Sequence, residues 1–266
     1  MIPLKTLPDA PRPPFWARAI ALSIALVWLV QLGALAFRGQ DLALRFGVRP
    51  VCFFHPASCG VSAISVPPLH LEPVLWLGWA NAPFGRLVVS PLVSLWLHAD
   101  WWHVAGNLLF LLVFGGAVEG EIGRFRFLRL YLGGGLVATA CHVVFNATSD
   151  VATIGASGAI AAILGAHFWR LPRAWVLTYF PPVFLFPVPA PLFGIVWIGA
   201  QMLGAWHDFH LPFLLPSSGA NIAWTAHLGG FGWGAWVGWR SGSRRPHKNR
   251  GRTRTKDVRG VSNVGK

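Results

Sequence analysis

Charge is what this sequence lacks most. Asp, Glu, Lys and Arg make up 12% of its 266 residues, about half the share usual in water-soluble domains. That scarcity excludes an ordinary soluble fold. Cysteine is scarce as well, with three in all, and their spacing makes no metal motif. Hydrophobic residues reach 54%, 15 Trp among them, and apolar runs of about 20 residues recur, the length that carries a helix across a bilayer. These features describe a polytopic membrane protein with one membrane domain and no room for a second globular one.

The formal net charge of +13 invites a nucleic-acid reading until its position is considered. Ten of the 22 Lys and Arg lie from Arg240 onward, in a polar tail without hydrophobic periodicity. A basic tail after a last spanning helix is more often a topology signal or a lipid-binding segment. Nucleic-acid binding is therefore disfavoured, membrane lipids are the expected partner of residues 240–266, and disorder is expected there.

In chain order, residues 1–18 are proline-rich and basic, and the apolar run at about 19–37 reads as an uncleaved first helix. A long segment follows at 38–97. Turns at Arg49-Pro50, Pro67-Pro68 and Asn81-Ala82-Pro83 interrupt any spanning helix within it. Leu75-Trp76-Leu77 and Trp79 suggest a structured piece in the membrane interface. Cys52 and Cys59 share this loop and could pair if it faces an oxidising compartment; Cys141 reads as a small core residue. Further helices are expected at about 101–118, 127–146, 156–169, 192–206 and 223–239. A proline-rich apolar stretch (172–191) and a loop at 207–222 separate the later ones.

Charge then orients the bundle. Segments 1–18, 119–129, 170–173 and 240–266 hold 18 of the 22 Lys and Arg, whereas 38–91 holds four. With six spans the four basic segments fall on one side. The positive-inside bias puts both termini in the cytoplasm and the long loop outside. A bacterial inner membrane is the expected location.

With that parity, the second, fourth and sixth helices all run from outside to inside. Near their starts lie His98, His103 and Asn107, then Ser157, then His227. Ser157 precedes Arg170 by 13 residues, and His227 precedes Arg240 by the same number. At about 1.5 Å per residue each lies roughly 20 Å above its basic anchor, and so about 10 Å below the outer surface of a core about 30 Å thick. Gly230, Gly234 and Gly238 form a small-residue stripe after His227, and Gly158, Ala161, Ala162 and Gly165 answer it on the fourth helix. Such stripes let membrane helices approach backbone to backbone.

A buried serine is ordinarily structural, bonding back to its own helix, whereas an intramembrane histidine is by default functional. At matched depth the two favour Ser–His nucleophilic catalysis, with Ser157 as nucleophile and His227 as base. Asp150 and Asp208 lie in loops, so no carboxylate completes a triad and a dyad is expected. His103 and Asn107 share one helix face and could donate to an oxyanion, beside the Ser157 backbone N–H at a helix N-terminus. A metal site from His98, Asp100 and His103 is discounted, because the two His are about 140° apart on a regular helix and the HExxH glutamate is missing. His142, His55, His70, His207 and His210 read as structural or incidental.

These residues resemble the signature of rhomboid intramembrane serine proteases. The resemblance rests on His98-Ala-Asp-Trp-Trp-His103-Val-Ala-Gly-Asn107, Gly155-Ala156-Ser157-Gly158 and Ala226-His227-Leu-Gly-Gly230. It extends over roughly 86–239 in the right order, through Phe114–Glu119 and Cys141–Asn146. It implies an all-α, six-transmembrane-helix rhomboid-like bundle over 19–239, with Ser157 as nucleophile and His227 as general base. It further implies that His103, Asn107 and the Ser157 amide line the oxyanion hole, that Gly155 shapes the turn before the nucleophile, and that His98 organises the cavity mouth. The implied substrates are membrane proteins cleaved near the outer end of a spanning helix, with no metal or cofactor. Some rhomboids stack an aromatic residue on the histidine from one turn after the serine; that position is Ala161 here. His227 must be oriented from elsewhere, with His142 or a water as candidates. The Trp-Arg pair of some members' first loop is not obvious, though Arg86 is nearby. Two other classes compete with the protease reading: a catalytically silent rhomboid-like protein that binds membrane clients, and a small-solute transporter with a midplane polar site.

Overall fold

The computed structural model describes residues 1–8, 13–55, 83–182, 184–210 and 223–241. The chain runs through strand β1 (Ile2–Leu7) and helices α1 (Trp16–Arg38), α2 (Leu42–Phe46), α3 (Val51–Phe54) and α4 (Pro83–Val93), the last continued by a 3-10 turn at Ser94–Trp96. Helices α5 (Trp101–Ile122), α6 (Arg124–Phe145) and α7 (Ser157–Arg170) follow, then strands β2 (Trp175–Phe180) and β3 (Phe184–Pro189), and helices α8 (Ala190–His210) and α9 (Trp224–Arg240). The protein is mostly helical. Among the described residues three helices, α1, α5 and α6, are long and apolar enough to cross a membrane, and Ala190–Trp206 within α8 is a shorter apolar helix.

Two expectations need correction. The fold is not all-α: β1, β2 and β3 form an antiparallel sheet in that order. The sequence Trp175-Val-Leu-Thr-Tyr-Phe180 is rich in β-branched and aromatic residues. Val176 and Thr178 are fully buried, while Trp175 is exposed and Leu177 half-buried, the alternation of a half-buried strand. Pro187 and Pro189 are tolerated because β3 is an edge strand. The proline-rich 172–191 stretch is thus largely a hairpin, and residues 1–18 supply its third strand. Second, the helix expected to end at 206 continues to His210, which shortens the following loop. Cys59, His70, the Leu75–Trp79 patch and the tail beyond 241 lie outside the described residues.

Three of the segments that charge placed on one side, 1–18, 119–129 and 170–173, meet in the fold. The buried Glu119 carboxylate, near the end of α5, accepts from the N–H groups of Phe15 (2.9 Å), Trp16 (3.1 Å) and Ala17 (2.9 Å). It thereby satisfies donors that a helix N-terminus leaves open. Glu121 pairs with Arg170 at 2.6 Å, and β1 pairs with β2 just beyond Arg173.

Helix α7 is the centre. Residues 158–167 are all buried, as expected of a helix with neighbours on every side; α5, α6, α8 and α9 surround it. It packs most extensively on α9, and the two small-residue stripes meet. A Cβ added to Gly230 would reach the Gly158 carbonyl oxygen and come within 3.3 Å of the Ala161 Cβ. One on Gly165 would strike the Phe231 carbonyl oxygen and lie 2.9 Å from the Ala235 nitrogen, and one on Gly234 would overlap the Ala162 carbonyl. Backbone meets backbone here, so no side chain can turn aside to make room.

Gly234→Ala should therefore cost at least the roughly 1–3 kcal/mol of an overpacked core. Gly232→Ala, two residues away where an added Cβ meets nothing within 4 Å, should be neutral or slightly stabilising. Thermal unfolding in detergent micelles checks the pair; equal effects would contradict the close α7–α9 contact.

Candidate active site

Ser157 opens α7, and His227 lies in the first turn of α9. The close contact of these helices brings the Ser157 Oγ to 2.8 Å from the His227 Nε2. The loop before α7 is firmly held. Val48 and Thr153 exchange backbone hydrogen bonds at 2.8 and 2.9 Å, the Val51 N–H donates to the Ser149 oxygen at 2.9 Å, and the Gly155 N–H donates to the Ser94 oxygen at 2.8 Å. These bonds satisfy backbone groups that would otherwise be buried without partners. Gly155 has a φ of +122°, a conformation that favours glycine. Its bare Cα also admits a neighbour: a Cβ there would lie 2.7 Å from the His103 Nε2 and 3.7 Å from the Ser157 Oγ.

Helix α5 holds His103 and Asn107. Asp100 caps it, accepting the His103 N–H at 2.9 Å, so its carboxylate is engaged in local structure. The His103 Nδ1 accepts the Ala99 N–H at 3.5 Å, which leaves its Nε2, the nitrogen facing Gly155, to carry the proton. One turn on, Asn107 is buried, and its Nδ2 has no hydrogen-bond partner among the described residues. His98 precedes the helix and is 1% exposed. Gln31 of α1 grips its backbone from both sides, accepting the His98 N–H at 3.0 Å and donating to the His98 oxygen at 3.1 Å. The His98 ring meets that of His103 edge to face, centroids 5.0 Å apart. Ser157, His227, Gly155, His103 and His98 therefore form one connected group, with Asn107 one turn along from His103.

A cavity of about 30 Å³ opens beside Ser157, lined in part by Gly158, Ala138, His142 and Thr153. It has room for about one or two waters. His142, expected to be structural or incidental and named as a candidate to orient His227, takes a structural role. Its Nε2 bonds the Thr153 Oγ1 at 2.8 Å and its Nδ1 bonds the Thr225 Oγ1 at 3.2 Å, tying α6 to the loop before α7 and to the start of α9.

The partner of His227 went unrecognised in the sequence. The Gln201 Oε1 of α8 lies 2.6 Å from the His227 Nδ1, and the Trp197 ring lies over the imidazole at 6.0 Å between centroids, tilted by 40°. The signal was present: Gln201 is the one amide in the apolar stretch 190–206. It stands 11 residues into that helix, about 17 Å along its axis, close to the depth inferred for Ser157 and His227. Of the expected Cys pair, Cys52 lies in α3 and is disulfide-bonded, Cys59 lies outside the described residues, and Cys141 is a free thiol.

A half-buried serine hydroxyl 2.8 Å from an imidazole, set in a helical membrane bundle, defines the class of site. The comparisons with known proteins give that class a family. The Rhomboid domain model matches residues 84–244, more than half of the chain, and the protein belongs to the rhomboid family. It is 28% identical over 160 residues to Rhomboid protein 1, mitochondrial, of Saccharomyces cerevisiae, covering 57% of this chain and 41% of that protein. It is 29% identical over 175 residues to the Presenilin-associated rhomboid-like protein, mitochondrial, of Rattus norvegicus, covering 64% and 42%. RHOMBOID-like protein 12, mitochondrial, of Arabidopsis thaliana is 30% identical over 166 residues, covering 56% and 45%. The chain thus spans less than half the length of these relatives. Their names place those proteins in mitochondria, which gives the expectation of a bacterial inner membrane no support.

Gly155→Ala should cost about 1–3 kcal/mol in backbone strain alone, and more because the new methyl meets the His103 ring. Gly123→Ala, at φ +88° but with open space around it, carries the strain without the collision. Denaturant unfolding in micelles should rank Gly155→Ala as the more destabilising; the reverse order would show that His103 does not press on this turn.

Proposed function

We propose that this chain is an intramembrane serine endopeptidase that hydrolyses peptide bonds in or near the spanning helices of membrane-protein substrates. The observation that carries the reading is the 2.8 Å contact between the Ser157 Oγ and the His227 Nε2. Membership of the rhomboid family and the neighbouring donors support it.

In this reading the His227 Nε2 takes the Ser157 hydroxyl proton as the Oγ bonds to the substrate carbonyl carbon. The carbonyl oxygen becomes an oxyanion. The donors proposed to receive it are the Ser157 backbone N–H at the start of α7, the Asn107 Nδ2 and the His103 Nε2. An unpartnered buried amide such as that of Asn107 is costly in a resting protein, and a developing oxyanion would satisfy it. As the C–N bond breaks, His227 gives its proton to the leaving amine, and the acyl group stays on Ser157. A water, for which the cavity beside Ser157 has room, then adds to the acyl carbon as His227 takes its proton. His227 returns that proton to the Oγ as the C–O bond breaks. Products are an amine and a carboxylic acid, and no cofactor enters.

The proposed topology is six spans, α1 and α5 to α9, with both termini and the segments 119–129 and 170–173 on one side of the membrane, where positive charge would hold them. With Arg170 at the interface, the 14 residues of α7 extend about 21 Å, less than a core of about 30 Å. That leaves Ser157 below the opposite surface. Residues 19–239 would be the protease domain and 240–266 a basic tail against anionic lipid.

Incubation with a panel of single-span membrane proteins in proteoliposomes tests the reading. The wild type should cleave at least one near the outer end of its helix. Ser157→Ala and His227→Ala should each lose at least about 10³-fold in kcat, and Asn107→Ala about 10²-fold. Cleavage by Ser157→Ala and His227→Ala at the wild-type rate would overturn it.

A further inference from the structure

We propose that Gln201 is a positioning residue that fixes the tautomer and the plane of His227, so that a neutral amide takes the third place of a Ser–His–Gln relay. The proposal rests on the protease reading above and deepens it.

Hydrogen-bond chemistry determines the direction of the contact. The Gln201 Nε2 donates to the Trp197 carbonyl oxygen, one turn back on its own helix, at 3.4 Å. With its NH₂ group so engaged, the amide turns its oxygen toward His227. An amide oxygen only accepts, so at 2.6 Å the His227 Nδ1 must carry the proton. In a neutral imidazole the Nε2 is then bare. That is the nitrogen 2.8 Å from the Ser157 Oγ, and only a bare Nε2 can accept the hydroxyl proton. The opposite tautomer would set an N–H against the hydroxyl and leave the Gln201 oxygen buried without a donor, since the side chain is 8% exposed.

Helix α8 is shaped for this task along one face. Trp197, Gln201 and Gly204 are spaced i, i+4 and i+7, the repeat of a single stripe. Trp197 covers the imidazole, Gln201 holds its Nδ1, and Gly204 makes room for Trp224, since a Cβ there would fall 2.5 Å from the Trp224 ring. Trp224 meets His227 edge on, at 6.3 Å and 90°. This stripe supplies the orientation that Ala161 cannot. An amide also suits the setting: a buried carboxylate would carry a large desolvation penalty, whereas Gln orients the ring without adding a charge.

Three variants and two readouts test the idea. Gln201→Leu keeps the volume and removes the acceptor. Gln201→Glu keeps a carbonyl oxygen for the Nδ1–H in either protonation state. Gln201→Asn retracts the amide by one methylene. On a substrate cleaved by the wild type, Gln201→Leu and Gln201→Asn should lower kcat by about 10–100-fold with KM within twofold, and Gln201→Glu should recover most of the loss. Nitrogen-15 NMR of histidine-labelled protein in micelles should show the wild-type His227 protonated at Nδ1 and bare at Nε2, and a shift toward the other tautomer in Gln201→Leu. A kcat unchanged in Gln201→Leu, a Glu variant as slow as the Leu variant, or a wild-type ring bare at Nδ1 would each overturn the proposal. If the wild type cleaves nothing, the protease reading fails, while the NMR result still decides whether Gln201 sets the tautomer.

Discussion

The site depends on how closely two helices can approach. Gly230 and Gly234 of α9 lie against the Gly158 and Ala162 carbonyl oxygens of α7, and Gly165 returns the contact on the Phe231 carbonyl. With backbones this close, the relative height and rotation of the helices are not adjustable by side-chain repacking. Ser157 and His227 stand at the matching ends of that contact, so the packing that stabilises the bundle also sets the 2.8 Å separation of the hydroxyl and the imidazole. Helices α5 and α8 then bring His103, Asn107 and Gln201 to the same pair from two further directions.

The polar groups follow one economy. Within the site, two glutamines, an asparagine and threonines supply neutral hydrogen-bonding groups beside the imidazoles. Gln31 anchors the His98 backbone, and Gln201 meets the His227 ring. Near the site the Asp100 carboxylate caps α5, and at the other end of the bundle Glu119 caps α1 and Glu121 meets Arg170. This separation fits the cost of burying charge in a low-dielectric core. The Glu121–Arg170 pair and the buried Glu119 thus stand away from the start of α7.

Much of the helical skeleton was legible because apolar runs and their basic ends are long-range signals that survive without an alignment. The matched depths of Ser157 and His227 followed from counting residues to Arg170 and Arg240, and the facing glycine stripes from their spacing. The sheet was not legible. Trp175–Phe180 is as apolar as the spans around it, and its partner β1 lies about 170 residues earlier, a pairing that no local pattern announces. Gln201 was missed for a different reason. Its only sequence signal is depth: a lone amide 11 residues into an otherwise apolar helix, at the level of the histidine. Its hydrogen bond, and the Gln31 clamp on His98, depend on helix rotation, which periodicity leaves open when a helix is apolar on all faces.

The central claim is that the half-buried serine at the head of α7 is made nucleophilic by the histidine on α9. Treatment of the folded protein in micelles with a fluorophosphonate, followed by mass mapping of the adduct, tests it most directly. The account predicts a single covalent adduct on Ser157, lost on unfolding and lost in His227→Ala while that variant remains folded. No adduct on Ser157 in the folded wild type, or equal labelling with and without His227, would contradict it.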